Sequence, residues 1–172
     1  MTPEEREAES GALRRRLAGL EVWRVARTVM AFASRPDEPD LDPLLCAAIA
    51  EGKTVALPRF RPATGLYEAA AVRDWEQDLV RGEFGIREPR AGAEAVPLNQ
   101  LDLVLVPGLA FDPTGARLGR GKGFYDRLLA DVSGHRCGVL FEWQRVEAVP
   151  LESHDRLMNS ILTPASWRPA AR

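Results

Sequence analysis

Leu101-Asp102-Leu103-Val104-Leu105-Val106 followed by Pro107-Gly108 is the stretch that sets the fold class. A strand with one wet face alternates apolar and polar residues. A nearly continuous apolar run instead marks a strand covered on both faces, as in a parallel sheet between layers of helix. Pro107-Gly108 ends it. Downstream, a glycine-rich loop leads to a helix from about Phe124 to Val132, with Leu128, Leu129 and Val132 inward. Cys137 to Phe141 reads as a second buried strand, and Ser160 to Thr163 as a short last one. Upstream, Thr54 to Leu57 is a short buried strand ended by Pro58. Asp42-Pro43 opens a helix with Leu44, Leu45, Ala48 and Ile49 inward, which Gly52 stops. A further strand lies around Thr28 to Phe32. Thr2, Pro3 and Glu5 form a capping box at the start of a first helix reaching about Leu20, with Leu13, Leu17 and Leu20 on one face. Leu66 to Val72 fits a strand, Gly82 to Pro89 a turn-rich loop, and the stretch from there to Pro97 exposed chain. Strands alternate with helices, so the expected fold is α/β: three layers, a mostly parallel sheet with helices on both faces.

The 172 residues suit one domain, and no repeat or linker divides 1–172. Apolar residues make up 45%, enough for a packed core and too many for a disordered chain. Basic and acidic residues nearly balance, for a net charge of −2, which argues against nucleic-acid binding through bulk charge. No apolar run approaches the ~20 residues that span a bilayer. The first residues are acidic and polar, unlike a signal peptide. Cys46 and Cys137 have no CxxC partner and read as buried free thiols. These features point to a cytoplasmic protein with neither nucleic acid nor membrane as partner. Only two of the basic residues are lysines, Lys53 and Lys122. Lys53 has no motif around it; Lys122 lies in the glycine-rich loop.

That loop runs Arg117-Leu118-Gly119-Arg120-Gly121-Lys122-Gly123-Phe124-Tyr125-Asp126. Glycine lets the backbone approach a ligand and take positive φ. The start of the following helix offers free N–H groups and partial positive charge. Arg117, Arg120 and Lys122 add three charges within six residues. Their mutual repulsion makes an anionic ligand the natural occupant, a phosphate chain first of all. The spacing is neither that of a P-loop nor that of the dinucleotide fingerprint. Asp126, on the first helical turn, either complements the helix dipole or holds a magnesium ion beside phosphate oxygens. Asp155 is a second carboxylate, which spacing alone does not pair with it.

The run Asp102 to Asp112 with Arg117 to Asp126 resembles 5-formyltetrahydrofolate cyclo-ligases. Supporting stretches are Ser34 to Asp40, Gly52-Lys53 to Pro58-Arg59, Phe84 to Pro89, and Gln144 through Pro150 to His154-Asp155. The resemblance covers most of the chain and implies a single cyclo-ligase-like domain over 1–172, similar in fold to the ribose-phosphate isomerase and CoA-transferase group. It implies ATP- and Mg²⁺-dependent conversion of 5-formyltetrahydrofolate to 5,10-methenyltetrahydrofolate, with release of ADP and phosphate. The implied partners are a reduced folate and ATP, in a monomer or weak dimer. By position, Arg120 and Lys122 would be catalytic. Arg117, Leu118, Gly119, Arg120, Gly121, Lys122, Gly123, Phe124 and Tyr125 would wrap ATP. Ala33, Glu38, Phe84, Arg120, Gly121, Lys122, Gly123 and Phe124 would hold the folate, with Phe84 and Tyr125 as walls for its flat ring. Asp126 and Asp155 would hold the metal. One departure stands out. The family usually opens with a helix carrying Lys-x-x-x-Arg, whereas Thr2 to Leu20 resembles its second segment and no lysine precedes Lys53. This leaves a second expectation open: a non-catalytic nucleotide- or folate-binding member of the fold, holding folate better than ATP, unless Arg14 to Arg16 stand in for those cations.

Overall fold

A computed structural model describes residues 1–82 and 84–171; Glu83 in the expected loop and the terminal Arg172 lie outside the described residues. The chain opens with helix α1 (Pro3–Gly19), a short helix α2 (Glu21–Val25), strand β1 (Thr28–Met30) and helix α3 (Asp42–Ala50). Five strands follow: β2 (Thr54–Arg61), β3 (Leu66–Val72), β4 (Leu79–Arg81), β5 (Arg87–Pro89) and β6 (Ala95–Val96). Then come β7 (Leu103–Val106), β8 (Ala110–Phe111), β9 (Arg117–Leu118), helix α4 (Phe124–Leu129), β10 (His135–Val139), β11 (Ser160–Leu162) and β12 (Trp167–Pro169). Thr2 caps α1 as expected: its hydroxyl accepts from the Glu5 N–H, and the Glu5 carboxylate accepts from the Thr2 N–H.

The main sheet has eight strands in the order β12-β11-β10-β7-β1-β2-β3-β6. The five central strands, β11 through β2, run parallel. Strands β12, β3 and β6 extend the two edges antiparallel. Alternate residues of the central strands point to opposite faces, and each face has its own core. Val29, Val55, Leu57, Leu103, Leu105, Cys137 and Val139 pack with Leu13, Leu17, Trp23, Leu45 and Ala48 of the first three helices. Met30, Ala56, Val104, Val106 and Ile161 pack with Leu128, Leu129 and Val132 on the other side. This is the three-layer arrangement expected from the 101–106 run, whose last four residues are all fully buried. Among the described residues, no helix is long and apolar enough to cross a membrane.

Several boundaries differ from the expected ones. Pro58 does not end β2, which continues to Arg61. Strand β1 pairs only with residues 54–56, so one side of β2 is open from there and tolerates a proline without an N–H. The expected loop over 82–89 contains β5, which forms a two-stranded ribbon with β4. Arg117-Leu118 likewise pairs with β8 rather than lying in open loop. Helix α4 stops at Leu129, before the poor helix formers Asp131, Ser133 and Gly134. Strand β10 begins two residues early, because His135 to Gly138 pair with Leu103 to Val106. Cys137 is buried, but Cys46 lies on the exposed side of α3. Lys53 is structural: its ammonium donates to the carbonyls of Trp23, Arg24 and Ala26, where α2 turns into β1.

Candidate active site

The crossover from β1 through α3 leads to β2 on one side, and that from β7 through α4 leads to β10 on the other. Strands β1 and β7 are neighbours, so the direction of winding reverses between them. In open α/β sheets the crevice beyond the carboxyl ends at such a point is the usual ligand site. Here it holds a pocket of about 670 Å³. Phe32 and Ala33 enter it just past β1, and Pro107 and Gly108 just past β7. All the site residues expected from the sequence line this pocket: Ala33, Glu38, Phe84, the whole run from Arg117 to Asp126, and Asp155. Chain segments more than a hundred residues apart in sequence thus meet in one cavity.

The glycine-rich loop forms one wall. Gly121 and Gly123 have φ of +81° and +61°, a left-handed backbone that a side chain would strain. Arg117 is nearly buried on β9. Its guanidinium pairs with Asp126 at 3.0 Å and lies 5.4 Å from the centre of the Tyr125 ring. Its Nε has no partner among the described residues. Arg120 pairs with Asp37 and lies 4.0 Å from Glu38. Lys122 pairs with no carboxylate among the described residues. Its ammonium sits 4.2 Å from the centre of the Phe84 ring.

Glu38 forms the facing wall. It is buried, and its carboxylate accepts from the Arg35 N–H at 3.0 Å. Burial raises its pKa, and the Asp37 carboxylate adds to the rise, against the opposing effects of the Arg35 N–H and Arg120. An apolar corner completes the pocket. The Phe84 ring lies 5.3 Å from Phe60 and 5.9 Å from Phe124, and Tyr67 lies 5.0 Å from Phe124. Phe84 therefore stands in an aromatic wall, whereas Tyr125 has its ring engaged by Arg117. Desolvation raises the pKa of the Tyr125 hydroxyl, keeping it protonated.

The two expected metal ligands share the pocket but are otherwise engaged. Asp126 holds Arg117, and Asp155 accepts from the Glu152 N–H at 2.8 Å with His154 3.7 Å away. Among the described residues, no group of three or more His, Cys, Asp or Glu could hold a metal ion. Two carboxylates beside a loop of glycines and cations suit a magnesium ion brought in on phosphate oxygens better than a resident, all-protein site.

Two rings of the apolar corner carry no local signal in the sequence: Tyr67, which lines the pocket, and Phe60, which packs on Tyr67 and Phe84. They are cross-strand partners in the β2–β3 hairpin, and ending the strand at Pro58 put Phe60 outside it. None of Arg14, Arg15 and Arg16 is among the described residues that line the pocket. Arg14 engages Glu7 and Asp40, and Arg16 donates to the Pro164 carbonyl.

Asp112 fixes the approach to the loop. Its buried carboxylate accepts from the Thr114 and Ala116 N–H groups, the Thr114 hydroxyl and the Val149 N–H, at 2.6–3.2 Å. It thus ties the turn before Arg117 to the strap carrying Pro150. Burial acts to raise its pKa, but these hydrogen bonds together hold it below the usual value. Asp112→Ala should cost about 3 kcal/mol or more at pH 7, since it strands several buried donors. The folded pKa lies below the ~3.9 of an unfolded aspartate. The stabilisation is therefore complete above that value and vanishes as pH falls through the folded pKa. Urea titrations should show the gap between wild type and Asp112→Ala narrowing below about pH 4, as the charge-linked part is lost and the part due to stranded donors stays.

Residues 1–164 match the model of the 5-formyltetrahydrofolate cyclo-ligase family. A protein of Mycolicibacterium smegmatis named 5-formyltetrahydrofolate cyclo-ligase is 38% identical, over 92% of this chain and 84% of its own length. The Escherichia coli K12 protein of the same name is 31% identical, over 96% of this chain and 93% of its own. Among solved structures, the 5,10-methenyltetrahydrofolate synthetase of Aquifex aeolicus superposes with a TM-score of 0.89 at 31% identity, covering all of this chain and 86% of that one.

Proposed function

This chain belongs to the 5-formyltetrahydrofolate cyclo-ligase family, and from that premise we propose that it converts 5-formyltetrahydrofolate and ATP to 5,10-methenyltetrahydrofolate, ADP and phosphate in the cytoplasm. One observation carries the reading to this chain's own residues. The glycine-rich loop, the buried Glu38 and the aromatic wall around Phe84 face a single pocket. A phosphate chain and a flat heterocycle can meet there.

The chemistry asks for such a meeting. A formamide oxygen is a poor leaving group. When it attacks the γ-phosphorus, a new P–O bond forms and the bond to ADP breaks. The formyl carbon now carries a phosphate and is electrophilic. The N10 lone pair attacks it and N10 loses its proton. The C–O bond then breaks, and phosphate departs with the formyl oxygen. Phosphoryl transfer is catalysed mainly by positioning and charge stabilisation. Arg120 and Lys122 supply fixed positive charge where negative charge builds on the transferred group. Residues 117–125 wrap the triphosphate. Ala33, Glu38 and Phe84 hold the folate against residues 120–124. Magnesium, when bound, neutralises phosphate charge, and Asp126 and Asp155 would hold it.

The test mixes purified protein with 5-formyltetrahydrofolate, Mg²⁺ and ATP and follows the methenyl absorbance. A rise that requires ATP supports the reading. Folate binding with no product under any condition would instead favour a non-catalytic binding protein. The metal role has its own check. Asp126→Asn should shift the magnesium titration of activity to higher concentration, because a neutral amide oxygen is a poorer ligand for a hard cation. Superimposable titrations would leave Asp126 as the partner of Arg117 alone.

A further inference from the structure

Arg6, Ser10 and Arg14 recur every four residues on α1, so they stand in a row on one face of the helix. All three reach the irregular segment between β1 and α3. Arg6 donates from Nε to the Glu38 carbonyl at 3.0 Å and from Nη2 to the Arg35 carbonyl at 3.1 Å. Ser10 is fully buried, and its hydroxyl accepts from the Asp40 N–H at 2.9 Å. Arg14 donates to the Asp40 carbonyl at 2.9 Å. Segment 35–40 contains no helix or strand, so the Arg35, Glu38 and Asp40 carbonyls and the Asp40 N–H find partners on α1 rather than in a ladder. Glu38 is held at both ends of the residue: Arg6 grips its carbonyl, and its carboxylate accepts from the Arg35 N–H. Neither Arg6, Ser10 nor Arg14 lines the pocket.

We infer that this row is a positioning set for Glu38, and that α1 thereby sets how tightly the site holds the reduced folate. The inference rests on the proposed contact between Glu38 and the folate. A buried carboxylate recognises a ligand only if its backbone is fixed, because a small displacement spoils a short charged hydrogen bond. The effect belongs to the folate side. The segment meets the glycine-rich loop at Arg120, which lies 4.0 Å from the Glu38 carboxylate and pairs with Asp37; the Asp37 pair is nearly half exposed on both partners and transmits little.

Steady-state kinetics on Arg6→Ala, Arg6→Lys, Ser10→Ala and Glu38→Gln, each with an unfolding midpoint, test this. Arg6→Ala should raise KM for 5-formyltetrahydrofolate by about tenfold and leave KM for ATP within about twofold. Arg6→Lys should recover part of the loss, since an ammonium can still reach one of the two carbonyls. Ser10→Ala should move folate KM in the same direction. A lowered midpoint in these variants with wild-type folate KM, while Glu38→Gln raises it, would overturn the inference and make the row purely structural. If Glu38→Gln itself left folate KM unchanged, the Glu38 contact would be wrong, and the inference would fall with it. Should Arg6→Ala not fold, Arg6→Lys and Ser10→Ala carry the same comparison.

Discussion

Lys122→Ala should fold normally and lose turnover by roughly ten- to a hundredfold, the kinetic equivalent of one charge-assisted hydrogen bond to phosphate. The side chain is exposed and packs against the Phe84 and Phe124 rings, so its removal should leave the fold intact. Arg117 and Arg120 already have carboxylate partners. Lys122 has none among the described residues. Lys122→Arg should retain part of the activity, as a longer cation with different donor geometry. Stopped-flow measurement of methenyl formation at saturating substrates reads the effect on kcat. Wild-type turnover in Lys122→Ala would remove the catalytic assignment of this loop.

Arg117→Ala should be the most damaging single change to stability in the site, at about 3–5 kcal/mol. The guanidinium is 6% exposed and its partner Asp126 15%, so removing one side leaves a nearly buried carboxylate without its counter-charge. The Tyr125 ring loses its covering cation as well. The double variant Arg117→Ala/Asp126→Ala should be more stable than Arg117→Ala alone, because the stranded charge is gone. Urea unfolding of the four proteins in the cycle measures the coupling. Additive losses would mean that the pair is not coupled in solution.

What could be read directly from the chain was what local chemistry determines. The 101–106 run implied two covered faces, and the two cores on opposite sides of β7 follow from it. Thr2, Pro3 and Glu5 marked the start of α1 because capping involves residues three apart. The glycine-rich loop was legible because its glycines and cations are contiguous. The remainder depends on partners distant in sequence. Strand β2 passes through Pro58 because of where β1 stops, and no local pattern records that. Phe60 joins the aromatic wall only once the hairpin register sets it opposite Tyr67. Resemblance could place Glu38 and Asp155 near the loop, but only the reversal of winding between β1 and β7 explains physically why they converge. Arg6 showed no sign of its role, since a carbonyl 32 residues away has no signature in the sequence.

In the proposed reaction the formyl oxygen is activated by phosphoryl transfer before ring closure. The most direct test of this step uses 5-formyltetrahydrofolate labelled with ¹⁸O in the formyl group, turned over with unlabelled ATP and Mg²⁺. Phosphate released with each methenyl product should carry one ¹⁸O atom. Methenyl product accompanied by unlabelled phosphate, with the label recovered in water, would contradict it.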